Sequence, residues 1–129
     1  MDEVLPIEAI DWAGVLNQMR GNLRVVQVLV EATLAETPNM LAAVRSAIGT
    51  RDAPALQLAA HTLKGTLRYF GDTAGFQWAV CLEKMAGSRD LSEAADTFTK
   101  LESALEPLER SLRAYLSNGA SSGPAGAST

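Results

Sequence analysis

The chain has 129 residues, of which 47% are hydrophobic, 5% aromatic and 20% charged, and this length suits one domain. Its 15 acidic and 11 basic residues give a formal charge of -4, which argues against binding to nucleic acid or to an anionic membrane. With one cysteine, one histidine and no apolar run long enough for membrane insertion, we expect a soluble, cytoplasmic chain without a disulfide or a metal.

Apolar residues recur at three- and four-residue spacing along most of the chain, which is the period of a helix, and they predict an all-α protein. The segment from Ile7 to Met19 predicts a short N-terminal helix that covers one end of the core. A long helix is predicted over about 22–49, with a kink at Pro38. Two helices that meet at Thr37-Pro38 are the alternative, because the residue before a proline disfavours the α conformation.

Three turns divide the rest of the chain: Gly49-Thr50-Arg51-Asp52, Gly71-Asp72-Thr73 and Gly87-Ser88-Arg89-Asp90. They delimit a third helical segment that ends at Phe70, a fourth over about 73–87 and a fifth from Leu91 to Tyr115. Asp52 is the expected cap of the third segment. Since short turns place each helix beside the last, the four long segments predict an antiparallel up-down-up-down four-helix bundle.

The composition changes near the C-terminal end. From Asn118 onward the chain is rich in Gly, Ser, Ala and Pro and has no large apolar residue. Such a segment buries too little to offset its ordering entropy. We therefore expect a helical domain over residues 1–117 and a flexible tail or linker over residues 118–129.

The single histidine, His61, lies in the third helical segment, so its direction follows from about 100° of rotation per residue. On that scale, three leucines lie about 120–160° away from it: Leu56, Leu63 and Leu67. His61 is therefore expected to face solvent. The residues within about 60° of it form one polar stripe: Gln57, Lys64, Gly65 and Arg68.

Gly65 is unusual because a glycine inside a helix costs about 1 kcal/mol relative to alanine. Its place beside His61 suggests that another molecule approaches the backbone there. The alternative is that His61 is an incidental surface histidine and that Gly65 relieves crowding against a neighbouring helix.

The segment AAHTLKGTLRYFG closely resembles the phosphoacceptor segment of histidine-containing phosphotransfer domains, whose pattern is Ala-His-x-Leu-Lys-Gly followed six residues later by Gly. His61, Lys64, Gly65 and Gly71 stand at the matching positions. The resemblance covers about residues 5–116, and its weaker parts are Asp11, Gly21-Asn22-Leu23 and Cys81-Leu82-Glu83. Gly75 stands where the family usually has a large apolar residue, so we expect Phe76 or Trp78 to fill the gap.

The resemblance implies a carrier of a multistep phosphorelay. His61 would accept a phosphoryl group from an aspartyl phosphate of one receiver domain and pass it to the aspartate of another. Lys64 would neutralise the phosphoryl charge, and Glu83 would orient the imidazole, unless Glu83 is a plain surface carboxylate. The receiver would supply Mg²⁺, so this chain is expected to bind no cofactor of its own.

The same resemblance suggests which residues contact the receiver. Gln57, Gly65 and Arg68 are the candidates, although Arg68 is equally well explained as a solvated arginine. Gly71 is expected to be a helix C-cap rather than a contact. The partners would be response-regulator receiver domains and a hybrid or chemotaxis-type histidine kinase, and the chain is expected to be a monomer.

Two other functions remain open from the sequence. The domain matches the phosphoacceptor module of a chemotaxis-type kinase, which shares the His-x-x-Lys-Gly pattern and receives its phosphate from ATP through a kinase domain in trans. A helical adaptor without phosphoryl chemistry is the second alternative. No glycine-rich nucleotide-binding segment is present, so autonomous kinase activity is not expected.

Overall fold

A computed structural model describes residues 8–120. All secondary-structure elements assigned within that range are helices. The helices are α1 Trp12–Gln18, α2 Leu23–Gly49, α3 Ala53–Leu67, α4 Ala74–Ser88 and α5 Ala94–Ala114. A 3₁₀ turn over Arg68–Phe70 follows α3, and a π-helical turn over Tyr115–Ala120 follows α5. The prediction of an all-α protein is confirmed for the described part of the chain.

The four long helices pack in a ring. α3 lies between α2 and α4, and α5 contacts both α4 and α2. Their buried faces meet in one hydrophobic cluster whose largest fully buried side chains are mostly leucines, among them Leu56, Leu63, Leu82, Leu101 and Leu108. None of the helices in the described range is long and apolar enough to cross a membrane.

α2 runs without interruption through Pro38, so the prediction of one long helix is confirmed and the two-helix alternative is wrong. Pro38 lies on the exposed side of the helix, where water can satisfy the carbonyl that loses its donor. On the buried side, the Thr37 hydroxyl donates to the Thr33 carbonyl at 2.6 Å, and the Thr33 hydroxyl donates to the Leu29 carbonyl at 2.8 Å. These bonds satisfy two buried polar side chains inside the helix.

α1 is shorter than the predicted segment from Ile7 to Met19. It begins at Trp12 because the Asp11 carboxylate accepts the Gly14 backbone N–H at 3.0 Å, which caps the helix there. Trp12 stacks on Tyr115 with ring centroids 4.3 Å apart, so the short helix is attached to the end of α5. Ile7, the first residue of the predicted segment, lies outside the described residues.

Side-chain hydrogen bonds of aspartates set the starts of α3 and α5, through a cap in α3 and through a preceding turn in α5. Asp52 caps α3 as predicted, by accepting the Ala55 N–H at 3.0 Å. α5 begins at Ala94 rather than at the predicted Leu91. The reason is that the Asp90 carboxylate binds both the backbone N–H and the hydroxyl of Ser92, which holds the preceding residues in a turn.

Gly75 is buried in α4, and the expectation that Phe76 or Trp78 fills a gap there is wrong. A Cβ atom on Gly75 would lie 2.7 Å from Leu105 Cδ2, so Leu105 of α5 already occupies the space. The glycine permits close approach of the two helices.

The predicted boundary between domain and tail falls within the turn that follows α5. The π-helical turn includes residues 118–120, and residues 121–129 of the predicted tail lie outside the described residues.

Candidate functional site

α3 presents His61 on its solvent side. Leu56, Leu63 and Leu67 are fully buried on the opposite side, whereas the His61 side chain is 63% exposed. The leucines fix the rotation of the helix because their burial excludes water from apolar surface. The predicted direction of His61 is therefore confirmed.

His61, Glu83 and Lys64 form a hydrogen-bonded cluster across α3 and α4. His61 Nδ1 lies 2.8 Å from Glu83 Oε2, and Lys64 Nζ lies 2.6 Å from Glu83 Oε1. A carboxylate oxygen only accepts hydrogen bonds, so the proton of a neutral His61 ring is on Nδ1. The other ring nitrogen, Nε2, then carries the lone pair.

The electrostatics of the cluster keep Glu83 ionised. The hydrogen bond from Lys64 lowers the pKa of Glu83 below its ordinary value, partial burial opposes this, and the bond from His61 lowers the pKa further. Glu83 is therefore an acceptor-only carboxylate at neutral pH, whose charge is paired with the Lys64 ammonium.

Lys64 is less accessible than the other members of the polar stripe, since its side chain is only 18% exposed. It lies at the edge of α3 that faces α4, and Glu83 covers its ammonium group. Sequence reasoning placed Lys64 on the solvent-facing stripe, whereas the structure places it between the two helices.

Gly65 borders open space. No heavy atom of the described residues outside its own helix backbone and immediate neighbours lies within 4 Å of the place where a Cβ would stand. The alternative that Gly65 relieves crowding against a neighbouring helix is therefore wrong.

Both Gln57 and Arg68 are exposed on the same side of α3. Arg68 lies at the C-terminal end of α3, and its side chain has no hydrogen bond or ion pair within the part of the chain described. Gly71 ends the 3₁₀ turn with a φ of 99°, as expected of a helix C-cap.

A shallow depression of about 370 Å³ lies beside His61 and is lined by Pro54, Gln57, Leu58, His61 and Glu83. Leu58 is 68% exposed there, which makes it an apolar contact surface next to the imidazole. Sequence reasoning missed Leu58, although helix geometry places it about 60° from His61. Within residues 8–120, no group of three or more His, Cys, Asp or Glu residues is arranged to hold a metal ion.

The protein-family model described as the Hpt domain matches residues 28–114, which include all of α3, α4 and α5 and most of α2. The chain belongs to the Hpt domain family. The family resemblance seen in the sequence is thereby confirmed over residues 28–114. Hpt domains carry a phosphoryl group on a histidine within phosphorelays of two-component signalling, where their partners are kinases and receivers. No curated protein and no solved structure matches this chain.

Proposed function

We propose that this Hpt domain is a phosphorelay intermediate that accepts a phosphoryl group on His61 from a receiver-domain aspartyl phosphate and passes it to the aspartate of another receiver. The observation that carries the proposal is the 2.8 Å contact between His61 Nδ1 and Glu83. It leaves Nε2 unprotonated on an exposed side chain, where an external phosphoryl donor can reach it.

The transfer balances without a proton leaving Nε2. The Nε2 lone pair attacks phosphorus, an N–P bond forms, and the bond between phosphorus and the aspartyl oxygen breaks to return a carboxylate. The ring acquires positive charge and keeps its proton on Nδ1. Glu83 stabilises that imidazolium, because a hydrogen bond between a cation and a carboxylate is stronger than one from a neutral donor. The reverse reaction on a second receiver releases the group.

Lys64 has a supporting role in this proposal. One of its three ammonium protons is directed to Glu83 at 2.6 Å, and the other two remain available for the oxygens of an incoming phosphoryl group. Positioning and charge neutralisation are the main demands of phosphoryl transfer, and the Mg²⁺ on the receiver supplies the larger share of the charge. The chain itself needs no cofactor for this role.

The arrangement of the helices is a further part of this proposal. We infer that α2 to α5 alternate in direction as an antiparallel bundle, because short turns join them, and that α1 covers the end of the core where Trp12 meets Tyr115. Gly65, Gln57 and Arg68 are proposed to contact the receiver. The protein is proposed to act as a cytoplasmic monomer that lacks kinase activity of its own.

Phosphoryl transfer from defined donors tests this proposal. The chain is incubated with a panel of receiver domains charged by acetyl phosphate and Mg²⁺, and the modified residue is mapped by mass spectrometry. We expect acid-labile phosphate on His61, and return of the label to unmodified receivers.

A parallel reaction contains ATP and an isolated histidine-kinase catalytic domain but no receiver. Labelling from ATP alone would assign the chain to the chemotaxis-type phosphoacceptor class. Labelling from neither donor would leave the adaptor function.

A further inference from the structure

Two turns of the chain have the same sequence pattern and the same backbone geometry. Residues 49–52 and 87–90 both read Gly, then Ser or Thr, then Arg-Asp, and they end α2 and α4. In each turn the arginine adopts a left-handed conformation, with φ 54° at Arg51 and 61° at Arg89. The backbone bonds are equivalent in the two turns: Arg51 N to Ile48 O at 3.1 Å, Asp52 N to Ala47 O at 2.9 Å, Arg89 N to Ala86 O at 3.1 Å and Asp90 N to Met85 O at 3.1 Å.

This conformation is costly for a residue with a Cβ atom, and helices that end in this way usually place glycine or asparagine there. Neither Arg51 nor Arg89 recovers that cost through its side chain, since both guanidinium groups lack a hydrogen bond or ion pair among residues 8–120. The aspartates that follow are occupied. Asp52 caps α3, and Asp90 binds Ser92. The guanidinium groups are therefore the charges of these turns that are free to reach another molecule.

Both arginines line one cleft of about 590 Å³ at this end of the molecule. Pro54 lines the same cleft and also lines the depression that contains His61. Pro54 and His61 are seven residues apart on one side of α3, which corresponds to about 10 Å along the helix. The cleft and the phosphoryl-accepting site are thus adjoining parts of one surface.

We propose that Arg51 and Arg89 bind acidic side chains of the receiver domain that exchanges its phosphoryl group with His61. This inference rests on the proposed function. A typical interface covers about 800 Å² on each partner, or a disc of about 16 Å radius, so a receiver centred on His61 extends over the cleft. The chain as a whole carries a charge of -4 and repels an acidic partner, whereas two unpaired arginines in the cleft that adjoins the His61 depression steer the partner to the correct face.

The test compares a double variant, Arg51→Asn with Arg89→Asn, with the wild-type chain. Asparagine tolerates the left-handed conformation, so the variant keeps its fold and loses only the charges. The readout is the second-order rate constant of phosphoryl transfer from a receiver that loads wild-type His61. At low salt we expect a fall of about fourfold, because this rate constant depends on the diffusional encounter, in which one unit-charge pair still about 10 Å apart in water changes the rate about twofold. In about 0.5 M salt the difference disappears, since screening is then nearly complete at that distance.

Two further variants control the experiment. Arg20→Asn with Arg24→Gln removes the same charge at the other end of α2, and Arg20 has the same backbone conformation with φ 58°. It is expected to transfer at the wild-type rate. Arg51→Lys with Arg89→Lys keeps both charges and is expected to retain most of the wild-type rate at low salt.

The inference is overturned if the double asparagine variant matches wild type at low salt, or if the Arg20 and Arg24 control slows transfer equally. In either case the wild-type reaction still supports the proposed function. If no receiver loads wild-type His61, the proposed function fails first and this inference fails with it.

Discussion

Glu83 provides the sharpest test of the proposed chemistry, because it contacts His61 without being the acceptor. Glu83→Ala removes the hydrogen bond to Nδ1 at 2.8 Å and the ion pair with Lys64 at 2.6 Å. Glu83→Gln keeps an amide oxygen that can accept a hydrogen bond from the Nδ1–H group, but it removes the negative charge. The two variants therefore separate orientation of the ring from stabilisation of the imidazolium.

The expected size of each effect follows from the contacts. A hydrogen bond to a charged group contributes about 1.5–3 kcal/mol, and the exposure of His61 favours the lower end. Only the part that strengthens as the ring becomes positive lowers the barrier, which is about half of that value. Loss of this part gives roughly a threefold slower transfer in Glu83→Gln. In Glu83→Ala the ring also loses its fixed tautomer and orientation, so we expect roughly a tenfold decrease.

Single-turnover transfer from a charged receiver measures these rates. Glu102→Gln is the matched control, since Glu102 also forms an ion pair, with Arg45 at 2.9 Å, but has no contact with His61. Each Glu83 variant is also combined with Lys64→Ala, because loss of Glu83 releases the lysine. A decrease that persists without Lys64 identifies an effect through the imidazole. Wild-type rates in both single variants of Glu83 would refute the assigned role.

The lowered pKa of Glu83 predicts a pH dependence of stability. A carboxyl group whose folded pKa is depressed stabilises the fold above its unfolded pKa, near the ordinary value of 4.5, and loses that contribution as the pH falls through the folded pKa. The Tm difference between wild type and Glu83→Gln should therefore shrink as the pH falls below about 4.5. A difference that grows as the pH falls below this value would contradict the direction of the shift.

Further substitutions test other parts of the site and the core. His61→Gln should abolish phosphoryl acceptance with unchanged circular dichroism, because the side chain is exposed; label retained by the variant would exclude His61 as the acceptor. Lys64→Ala should slow transfer about threefold without blocking it, since the receiver's metal carries most of the charge; a wild-type rate would exclude a role in neutralisation. Gly65→Ala should raise the free energy of unfolding by up to about 1 kcal/mol in a denaturant titration, and Gly65→Gln should remain folded but slow transfer. Gly75→Ala should lower that free energy by about 1 kcal/mol, because overpacking against Leu105 exceeds the gain in helix propensity; a more stable variant would show that Leu105 moves aside without cost.

Local patterns were sufficient to predict the helices and the direction of His61. The spacing of apolar residues indicates which side of a helix is buried. The rotation per residue then gives the direction of all the remaining side chains around the helix axis. The predicted N-terminal ends of α1 and α5 were wrong because side-chain hydrogen bonds of Asp11 and Asp90 determine where these helices begin. Such bonds compete with helical backbone bonds, and the spacing of apolar residues carries no information about them.

Contacts between helices could not be predicted from the spacing of apolar residues. Glu83 is 22 residues from His61, and nothing in the spacing within either helix specifies how α3 and α4 rotate against each other. Family resemblance alone suggested the pair. The same limitation explains why the low exposure of Lys64 was not predicted. Its angle on α3 was predicted correctly, but its ammonium group is covered by Glu83, which belongs to the neighbouring helix.

Gly65 and Gly75 show that the structural role of a helical glycine depends on what lies opposite it. Gly65 and Gly75 both lie within helices, where sequence alone assigns each the same low helix propensity. A Cβ on Gly65 would meet open space, whereas a Cβ on Gly75 would lie 2.7 Å from a leucine of another helix. Gly65 therefore leaves a surface open beside His61, and Gly75 allows two helices to pack closely. Since a Cβ is accommodated at one position and collides at the other, we expect the same substitution to change stability in opposite directions, and the free energies of unfolding of the two alanine variants test this.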